Sequence, residues 1–350
     1  MLQKNIDLES KRILVTGAAG FIGANLVMEL MKRYPGCRIL GIDNVNDYYD
    51  VGIKQYRLDK IAEVATNDDQ FELMRGSIAD RDLVDTAFAE FKPEVVVNLA
   101  AQAGVRYSID NPDAYIEANM MGFYNILEAC RHNPMEHLVY ASSSSVYGAN
   151  KKIPYSVEDQ VDNPVSLYAA TKKSNELFAH AYSKLYGIPS TGLRFFTVYG
   201  PAGRPDMAYF GFTNKLIKGE TIKIFNFGNC KRDFTFVDDI VEGVINVMQV
   251  APAENENGAR YKVYNIGNND PVNLLDFVDI LQQELVSAGV LPKDFDFESH
   301  KELVPMQPGD VEVTYADVSA LSEDFGFKPS TPLRDGLRSF AKWYKEYYRV

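Results

Sequence analysis

Short apolar runs alternate with amphipathic stretches along the first 200 residues of the chain. The predicted strands lie at 13–15, 39–42, 71–74, 95–97, 137–141 and 190–196. Several contain no polar residue, which is typical of parallel strands that are buried on both faces. Apolar residues at helical spacing predict helices at 21–31, 80–91, 111–130 and 164–186. This alternation of strand and helix predicts an α/β fold built on a doubly wound parallel sheet.

The sequence changes in character near Tyr199, where glycine and proline become frequent. Further elements are predicted there, with helices near 212–218, 238–250, 273–287 and after Thr331-Pro332, and strands near 222–225 and 262–266. No internal repeat or low-complexity linker separates this part from the first. We therefore expect a smaller C-terminal α/β lobe that shares backbone with the core. A polar and aromatic insertion, followed by a helix pattern, comes after the second strand.

The composition narrows the class of protein. With 350 residues and 46% hydrophobic content, the chain is long enough for one large domain and a smaller lobe. It has 36 basic and 48 acidic residues and no Lys/Arg run, so nucleic acid is not an expected partner. No apolar run approaches the roughly 20 residues that span a bilayer. The start, MLQKNIDLESKR, lacks the apolar core of a signal peptide, so we expect a cytoplasmic protein without a membrane anchor.

Cysteine and histidine give no sign of a metal site. Cys37, Cys130 and Cys230 are far apart and form no CxxC pair, which predicts buried free thiols. The four histidines of the chain show no metal-ligand spacing. We therefore expect no bound metal.

A glycine turn links the first predicted strand to the first predicted helix. Gly17, Gly20 and Gly23 follow the apolar run 13–15 at three-residue spacing. Glycines at this spacing allow a sharp turn and a close approach to a pyrophosphate, and the first N–H groups of the helix face the anion. The same pattern also occurs in ordinary tight turns between a strand and a helix, so it needs support from its surroundings.

That support comes from Asp43, which ends the second predicted strand twenty positions after Gly23. A carboxylate at this place bonds the ribose hydroxyls of an adenosine and repels a 2′-phosphate. The combination predicts a dinucleotide site that takes NAD rather than NADP.

Tyr168 and Lys172 are separated by one helical turn and share one face of a predicted helix. A cation about 4 Å from a phenol is worth roughly 4 kcal/mol at an effective dielectric constant of 20. That energy corresponds to about three pKa units, which would bring the tyrosine close to neutral pH. The pair is therefore a candidate general base, although a tyrosine packed under a lysine stem gives the same spacing.

A run of serines follows the fifth predicted strand, in the stretch Ser142–Gly148. Ligands of an open α/β sheet bind beyond the carboxyl ends of its strands, so these hydroxyls are expected at the reacting centre. A serine there would share a hydrogen bond with the substrate oxygen that the tyrosine deprotonates. A solvated turn is the plainer alternative.

Taken together, these motifs resemble the extended short-chain dehydrogenase/reductase family, and within it the NAD-dependent nucleotide-sugar epimerases. The similarity extends along almost the whole chain. It is most specific to the UDP-glucuronate 4-epimerases, in the stretches DNVNDYYDVGIKQYRL, NLAAQAGVRYSIDNP, ASSSSVYG, RFFTVYGPAGRPDM, KRDFTFVDDI and PMQPGDV.

The resemblance implies a role for each matching residue. It makes Ser143 the catalytic hydroxyl, Tyr168 the base, and Lys172 its partner, which also holds the nicotinamide ribose. The implied cofactor cleft consists of Gly17, Gly20, Phe21, Ile22, Gly23, Asp43, Asn44, Ser77, Ile78, Leu99, Ala100, Ala101, Asn119, Tyr168 and Lys172. The implied substrate contacts are Ser143, Ser144, Ser145, Thr197 and Arg204 at a C6 carboxylate, Arg106 at the sugar or the carboxylate, and Arg232 and Asp310 at the diphosphate and uridine ribose.

Two positions depart from the family pattern. Ser77 stands where the family usually has aspartate, which affects the contact with the adenine amino group. Gln307 stands where many relatives have arginine, which affects a contact with the diphosphate. Ser144 and Ser145 occupy the positions where related dehydratases and decarboxylases have acidic residues. Without an acid to move protons at C5 or C6, the expected reaction stops at exchange of configuration at C4.

The expected protein is thus a UDP-glucuronate 4-epimerase that serves polysaccharide biosynthesis. The resemblance implies a homodimer through the helices at 111–130 and 164–186. It also implies an NAD-binding Rossmann domain over 1–196, to which 235–270 returns, and a mainly nucleotide-sugar-binding lobe over 197–350. Two alternatives stay open, namely an epimerase of UDP-glucose or UDP-N-acetylglucosamine, and a non-catalytic protein that senses NAD(H).

Overall fold

A computed structural model describes residues 1–67, 69–306 and 311–350 of the chain. Within these ranges a seven-stranded parallel sheet forms the core, and two small sheets lie beside it. The strands are β1 (Arg12–Thr16), β2 (Arg38–Asp43), β3 (Phe71–Arg75), β4 (Val95–Asn98), β5 (His137–Ser143), β6 (Ser190–Phe195), β7 (Thr197–Tyr199), β8 (Ile222–Ile224), β9 (Lys231–Phe236), β10 (Tyr261–Ile266), β11 (Pro271–Asn273) and β12 (Lys301–Leu303).

Helices connect most of these strands. They are α1 (Phe21–Arg33), α2 (Val51–Val64), α3 (Arg81–Phe91), α4 (Tyr107–Asp110), α5 (Pro112–Tyr115), α6 (Phe123–His132), α7 (Leu167–Tyr186), α8 (Ala208–Ile217), α9 (Val237–Met248), α10 (Leu274–Ala288), α11 (Ser319–Phe325) and α12 (Leu333–Tyr348). No helix within the described ranges combines the length and apolar character needed to cross a bilayer.

The large sheet has the strand order β10-β6-β5-β4-β1-β2-β3, and all its neighbouring strands are parallel. The chain builds outward from β1 to β3 and then returns to β4 on the other side of β1. This reversal opens a crevice beyond the carboxyl ends of β1 and β4, where open α/β sheets bind their ligands. The predicted doubly wound parallel fold is confirmed.

Both faces of the sheet are buried. In β1, Ile13 and Val15 pack into one hydrophobic cluster with residues of α1 and α9, whereas Leu14 packs into a second cluster with residues of α3, α6 and α7. This explains why the strands are almost continuously apolar. The three cysteines are free and buried, as expected.

The chain returns to the large sheet after residue 236. Helix α9 packs against α1, and β10 pairs with β6 at the edge of the sheet. The sequence analysis placed α9 and β10 correctly but missed β9, β11, β12 and α11. These four elements are short or only weakly periodic, and their partners lie far away in sequence.

The helix predicted over 111–130 is interrupted. Pro112 begins α5, and Ile116–Gly122 then form a π-helical segment before α6 begins at Phe123. A π-turn keeps helical backbone angles and changes only the hydrogen-bond spacing, so the hydrophobic pattern does not reveal it. Asn119 lies within this segment and is 1% exposed.

Candidate active site

A cavity runs along the carboxyl ends of the central strands and reaches the loop 200–207. It brings together sixteen of the residues predicted from the sequence. They are Gly17, Gly20, Phe21, Ile22, Gly23, Asp43, Asn44, Ser77, Ile78, Leu99, Ala100, Ala101, Ser143, Tyr168, Lys172 and Arg204.

The glycine turn forms one end of this cavity. Gly17 has a φ of +72°, and a Cβ atom there would lie 2.8 Å from the backbone nitrogen of Ala100. At Gly23 a Cβ atom would lie 2.1 Å from the carbonyl oxygen of Gly17. Helix α1 begins directly after Gly20 without a side-chain cap or an acidic residue in its first turn. Its open N–H groups and the space left by the glycines fit a pyrophosphate.

Asp43 is held in place at the end of β2 by the backbone. Its Oδ2 accepts a hydrogen bond from the Ala19 N–H at 3.0 Å, and its Oδ1 accepts one from the Val45 N–H at 2.8 Å. A carboxylate has further lone pairs, so Asp43 can still accept ribose hydroxyls. Its orientation suits the nucleoside half of a dinucleotide.

Lys54 also lines this end and was not predicted. Its side chain is 6% exposed, and its ammonium group donates to the backbone oxygen and to Oδ1 of Asn46, each at 2.6 Å. Burial lowers the pKa of Lys54, while the charge of Asp43 opposes that shift. Ser77, at the position of the usual aspartate, accepts a hydrogen bond from the Ala79 N–H at 3.1 Å.

The three predicted catalytic residues meet at the middle of the cavity. Ser143 ends β5, and its Oγ accepts a hydrogen bond from the Ser145 N–H at 3.1 Å. The Ser143 hydroxyl also lies within hydrogen-bonding reach of the Tyr168 hydroxyl. One helical turn further along α7, the Lys172 ammonium donates to the Ala141 carbonyl at 2.9 Å. The triad is therefore assembled by the protein itself.

The predicted activation of Tyr168 by Lys172 is wrong for the protein alone. Burial raises the pKa of Tyr168 above its ordinary value, and the Ser143 hydrogen bond and the positive charge of Arg204 only partly oppose this. Burial also lowers the pKa of Lys172 to about 8, because the ammonium is 3% exposed. The charge of the lysine alone does not set the pKa of Tyr168, because burial removes solvation from both groups.

A buried ion pair supports the end of β5. Ser142 donates to Glu176 at 2.7 Å, and Arg194 binds the two oxygens of that carboxylate at 2.8 and 2.9 Å. This pair holds the strand end that presents Ser143. The sequence analysis missed it because the partners lie on three different elements.

Arg204 lines the opposite end of the cavity and is paired with Asp206. Arg204 Nε donates to Asp206 Oδ1 at 3.0 Å, and Nη2 donates to Oδ2 at 2.5 Å. Tyr48, from the insertion after β2, donates its hydroxyl to the same Oδ2 at 3.1 Å. Neither Tyr48 nor Asp206 was predicted, although the insertion and the RPDM motif contain them.

Other predicted residues lie outside the cavity lining. Asn119 supports the wall from behind, because it exchanges hydrogen bonds with the Gln102 backbone and donates to Thr171. Ser144 and Ser145 begin a 3₁₀ turn, and Thr197 begins β7.

Two arginines predicted to bind substrate contact other parts of the protein. Arg106 lies over the Phe225 ring at 5.0 Å from its centre. Arg232 donates to the backbone oxygens of Lys231 and Glu312. Asp310 and Gln307 lie outside the described residues.

Comparison with known proteins shows the family to which the chain belongs. The sequence profile of the family described as GDP-mannose 4,6 dehydratase matches residues 14–340. Protein CapI of Staphylococcus aureus is 48% identical over 349 residues, which are 97% of this chain and 99% of that protein. UDP-glucuronate 4-epimerase 2 of Arabidopsis thaliana is 43% identical over 348 residues, which are 96% of this chain and 76% of that protein.

A solved structure with a similar fold is UDP-glucuronic acid 4-epimerase from Bacillus cereus, in complex with UDP-glucuronic acid and NAD. It is 31% identical, has a TM-score of 0.83, and the alignment covers 96% of this chain and all of that one. The chain belongs to the GDP-mannose 4,6 dehydratase family, within the nucleotide-sugar epimerases of the extended short-chain dehydrogenase/reductase group.

Proposed function

We propose that this chain is an NAD-dependent 4-epimerase that interconverts UDP-glucuronate and UDP-galacturonate. The observation that carries the proposal is the meeting of Ser143, Tyr168 and Lys172 in the cavity that also contains the glycine turn. UDP-glucuronate 4-epimerases that are 40–44% identical along almost the whole chain support the same substrate.

The cavity fits NAD, which when bound supplies a reversible hydride acceptor. The glycine turn would hold the pyrophosphate, and Asp43 would bond the adenosine ribose and repel a 2′-phosphate. Ser77 and Ile78 would contact the adenine. Leu99, Ala100 and Ala101 would line the remaining length of the cleft, and Lys172 would hold the nicotinamide ribose.

Tyr168 would take the proton of the C4 hydroxyl as the hydride leaves C4. Ser143 would share a hydrogen bond with the same oxygen, and the charges of Lys172 and Arg204 would stabilise the phenolate. The 4-keto sugar must then turn its other face to the site, and Tyr168 returns the proton when C4 is reduced.

The sugar end of the cavity favours a carboxylate at C6. Arg204 is the proposed clamp, because its planar fork can donate two parallel hydrogen bonds to a carboxylate. Ser144, Ser145, Thr197 and Arg106 are the remaining proposed contacts of the sugar. For the diphosphate and the uridine ribose we propose Arg232 and Asp310.

An Arg204→Ala variant separates this substrate from the alternative UDP-hexoses. We expect kcat/KM for UDP-glucuronate to fall by about 100-fold and kcat/KM for UDP-glucose by about tenfold or less, because both sugars lose the charge that stabilises the phenolate but only UDP-glucuronate loses the clamp. The measurement is the rate of C4 epimer formation with each nucleotide sugar. An unchanged preference for UDP-glucuronate would remove Arg204 from the carboxylate site.

Exposed apolar side chains support a homodimer. Ile116 and Met121 on one predicted interface helix, and Leu177 and Leu185 on the other, are between 45% and 69% exposed. Isolated exposed apolar residues are ordinary, but several on two adjacent helices favour a covered surface. Light scattering in solution tests this, and a monomer at micromolar concentration would contradict it.

We also propose the division into an NAD-binding domain over 1–196, joined again by 235–270, and a mainly nucleotide-sugar-binding lobe over 197–350. The return of β10 to the large sheet supports it. A cytoplasmic location and a role in polysaccharide biosynthesis stay predictions.

The direct test is to incubate the purified protein with UDP-glucuronate and separate the C4 epimers. Conversion to a mixture with UDP-galacturonate, without net consumption of NAD, is expected. Bound NAD without turnover of UDP-glucuronate or any other UDP-sugar would favour the NAD(H)-sensing alternative.

A further inference from the structure

We propose that Asp206 and Tyr48 are positioning residues that hold the Arg204 guanidinium so that its free edge faces the sugar. This inference rests on the proposed function, since it concerns the residue that would bind the C6 carboxylate. Neither side chain needs to touch the substrate. They act through the position and the charge of Arg204.

The geometry of the ion pair leaves one edge of the guanidinium unused. Asp206 takes the edge formed by Nε and Nη2. These two hydrogen bonds leave Nη1 of Arg204 out of the ion pair, and the guanidinium also lies within hydrogen-bonding reach of the Tyr48 hydroxyl. A guanidinium can bind a second carboxylate side by side through its Nη1–Nη2 edge. Because Arg204 lines the cavity, this edge is available to a ligand there.

Tyr48 holds the carboxylate of Asp206 from the other side. Its ring packs on Tyr107 with ring centres 4.8 Å apart, and a Cβ atom on Gly104 would lie 2.8 Å from its hydroxyl oxygen. The phenol is therefore confined. Burial raises the pKa of Tyr48 to about 12, so the hydroxyl keeps its proton and remains a donor near neutral pH.

Hydrogen bonds of one buried arginine connect the loop that carries Arg204 to the glycine turn at the cofactor end. Arg57 of α2 is 1% exposed and donates to the carbonyl oxygens of Ala202 at 2.9 Å and Gly203 at 3.0 Å. It also donates to the Ala19 carbonyl of the glycine turn at 3.0 Å. Ala202 has a φ of +50°, a strained value for a residue with a side chain. The insertion thus sets the distance between the dinucleotide turn and the loop 200–207.

Asp206 also tunes the charge that Tyr168 experiences. The positive charge of Arg204 lowers the pKa of Tyr168. Because Asp206 is ion-paired with Arg204, we expect its negative charge to cancel part of this effect. Asp206→Asn keeps an oxygen acceptor for the guanidinium but removes this cancellation. The pKa of Tyr168 should then fall, and the acid limb of the pH–rate profile should move to lower pH.

The experiment compares wild type, Asp206→Asn, Tyr48→Phe and the matched control Tyr107→Phe. For Asp206→Asn we expect kcat/KM with UDP-glucuronate to fall by about 10- to 100-fold, with less than about threefold change for UDP-glucose. Its acid limb should move down by about 0.5 pH unit. For Tyr48→Phe we expect a fall of about three- to tenfold with the acid limb unmoved, because no charge changes.

Tyr107→Phe should behave as wild type, because it keeps the ring beside Tyr48 and removes only a hydroxyl that accepts from Asn111. Equal losses on both sugars with an unmoved acid limb in Asp206→Asn would indicate a merely structural role and overturn the proposal. So would wild-type kinetics in Tyr48→Phe, which retains the ring and is the variant to rely on if Asp206→Asn does not fold. Failure of the wild type itself to epimerise UDP-glucuronate would instead overturn the proposed function.

Discussion

The two ends of the cavity are built in different ways. At the cofactor end the walls are backbone, with Gly17 against Ala100 and the open start of α1 facing the ligand. From the middle of the cavity to the sugar end they are polar side chains, among them Tyr168, Lys172 and Arg204. At the cofactor end the backbone atoms are so close together that a larger side chain does not fit. The sugar end depends on polar and charged groups that are costly to bury. Added volume should therefore damage the cofactor end, whereas removal of a functional group should damage the sugar end.

The largest expected effect comes from the sugar end. Tyr168→Phe removes the proposed base and keeps the ring, whose centre lies 5.9 Å from that of Tyr115. We expect kcat to fall by at least about 1000-fold, because general base catalysis contributes about 100- to 10,000-fold. Epimer formation is the measurement, and NAD content is the control, since the cofactor end is untouched. More than a few per cent of residual turnover would exclude Tyr168 as the base.

The converse change adds one methyl group to the cofactor end. Gly17→Ala forces a side chain into a left-handed conformation, at about 1–2 kcal/mol, and places Cβ 2.8 Å from the Ala100 nitrogen. We expect the Kd for NAD to rise by about 10- to 100-fold, with kcat at saturating NAD changed little. Titration of the cofactor measures it.

Gly187→Ala is the matched control for that change. Gly187 has nearly the same φ, +69°, but no atom of the described residues lies within 4 Å of a Cβ atom there. It should cost stability, by about 1 kcal/mol, without affecting NAD binding. If both variants bound NAD equally well, crowding by Ala100 would not be what makes the turn selective for glycine.

The smallest effect concerns the free energy of unfolding. Among the described residues the Lys172 ammonium has one hydrogen-bond acceptor, the Ala141 carbonyl, and burial lowers the pKa of Lys172 to about 8 from 10.5. Keeping the buried lysine charged at pH 7 lowers the free energy of unfolding of the wild type by about 3 kcal/mol. Replacing the lysine removes this cost but also removes its hydrogen bond to Ala141, which is worth about 1–2 kcal/mol. We therefore expect Lys172→Met to lose activity, while its free energy of unfolding at pH 7 is about 1–2 kcal/mol higher than that of the wild type.

The sign of the pH dependence follows from the lowered pKa. Between pH 8 and 10.5 the unfolded chain binds more protons than the folded one, so wild-type stability rises with pH and the advantage of Lys172→Met disappears by about pH 10.5. Denaturant titration at several pH values measures this. The exposed Lys184 lies on the same helix, and Lys184→Met should show no such trend. A Lys172→Met protein less stable than wild type at pH 7 would contradict the prediction.

Most of the cofactor end could be predicted because its information is local. Three glycines at three-residue spacing, a preceding apolar strand and an aspartate at the next strand end all lie within about thirty residues. The strand-helix alternation then determines which strand ends share an edge of the sheet. The Tyr168 and Lys172 pair was equally visible, since one helical turn separates the two residues.

The sugar end could be predicted only in part. Arg204 was found by resemblance, but the contacts that hold it were not. Tyr48 donates to Asp206 from 158 residues away, and no spacing in the sequence indicates that hydrogen bond. Lys54 and Arg57 were missed because a lysine or an arginine on a polar helix is usually solvated. The interrupted helix around Asn119 was missed because a π-turn preserves the hydrophobic pattern.

The amino-acid sequence by itself determined the parallel α/β core, the dinucleotide turn and the residue types available for proton transfer, because each depends on near neighbours and on the period of the chain. Only the tertiary structure decided which of those groups are buried and which charges face one another. It therefore decided that burial raises the pKa of Tyr168 and that Asp206 pairs with Arg204. Solvation and Coulomb energies depend on distances through space, and those distances exist only after the chain has folded.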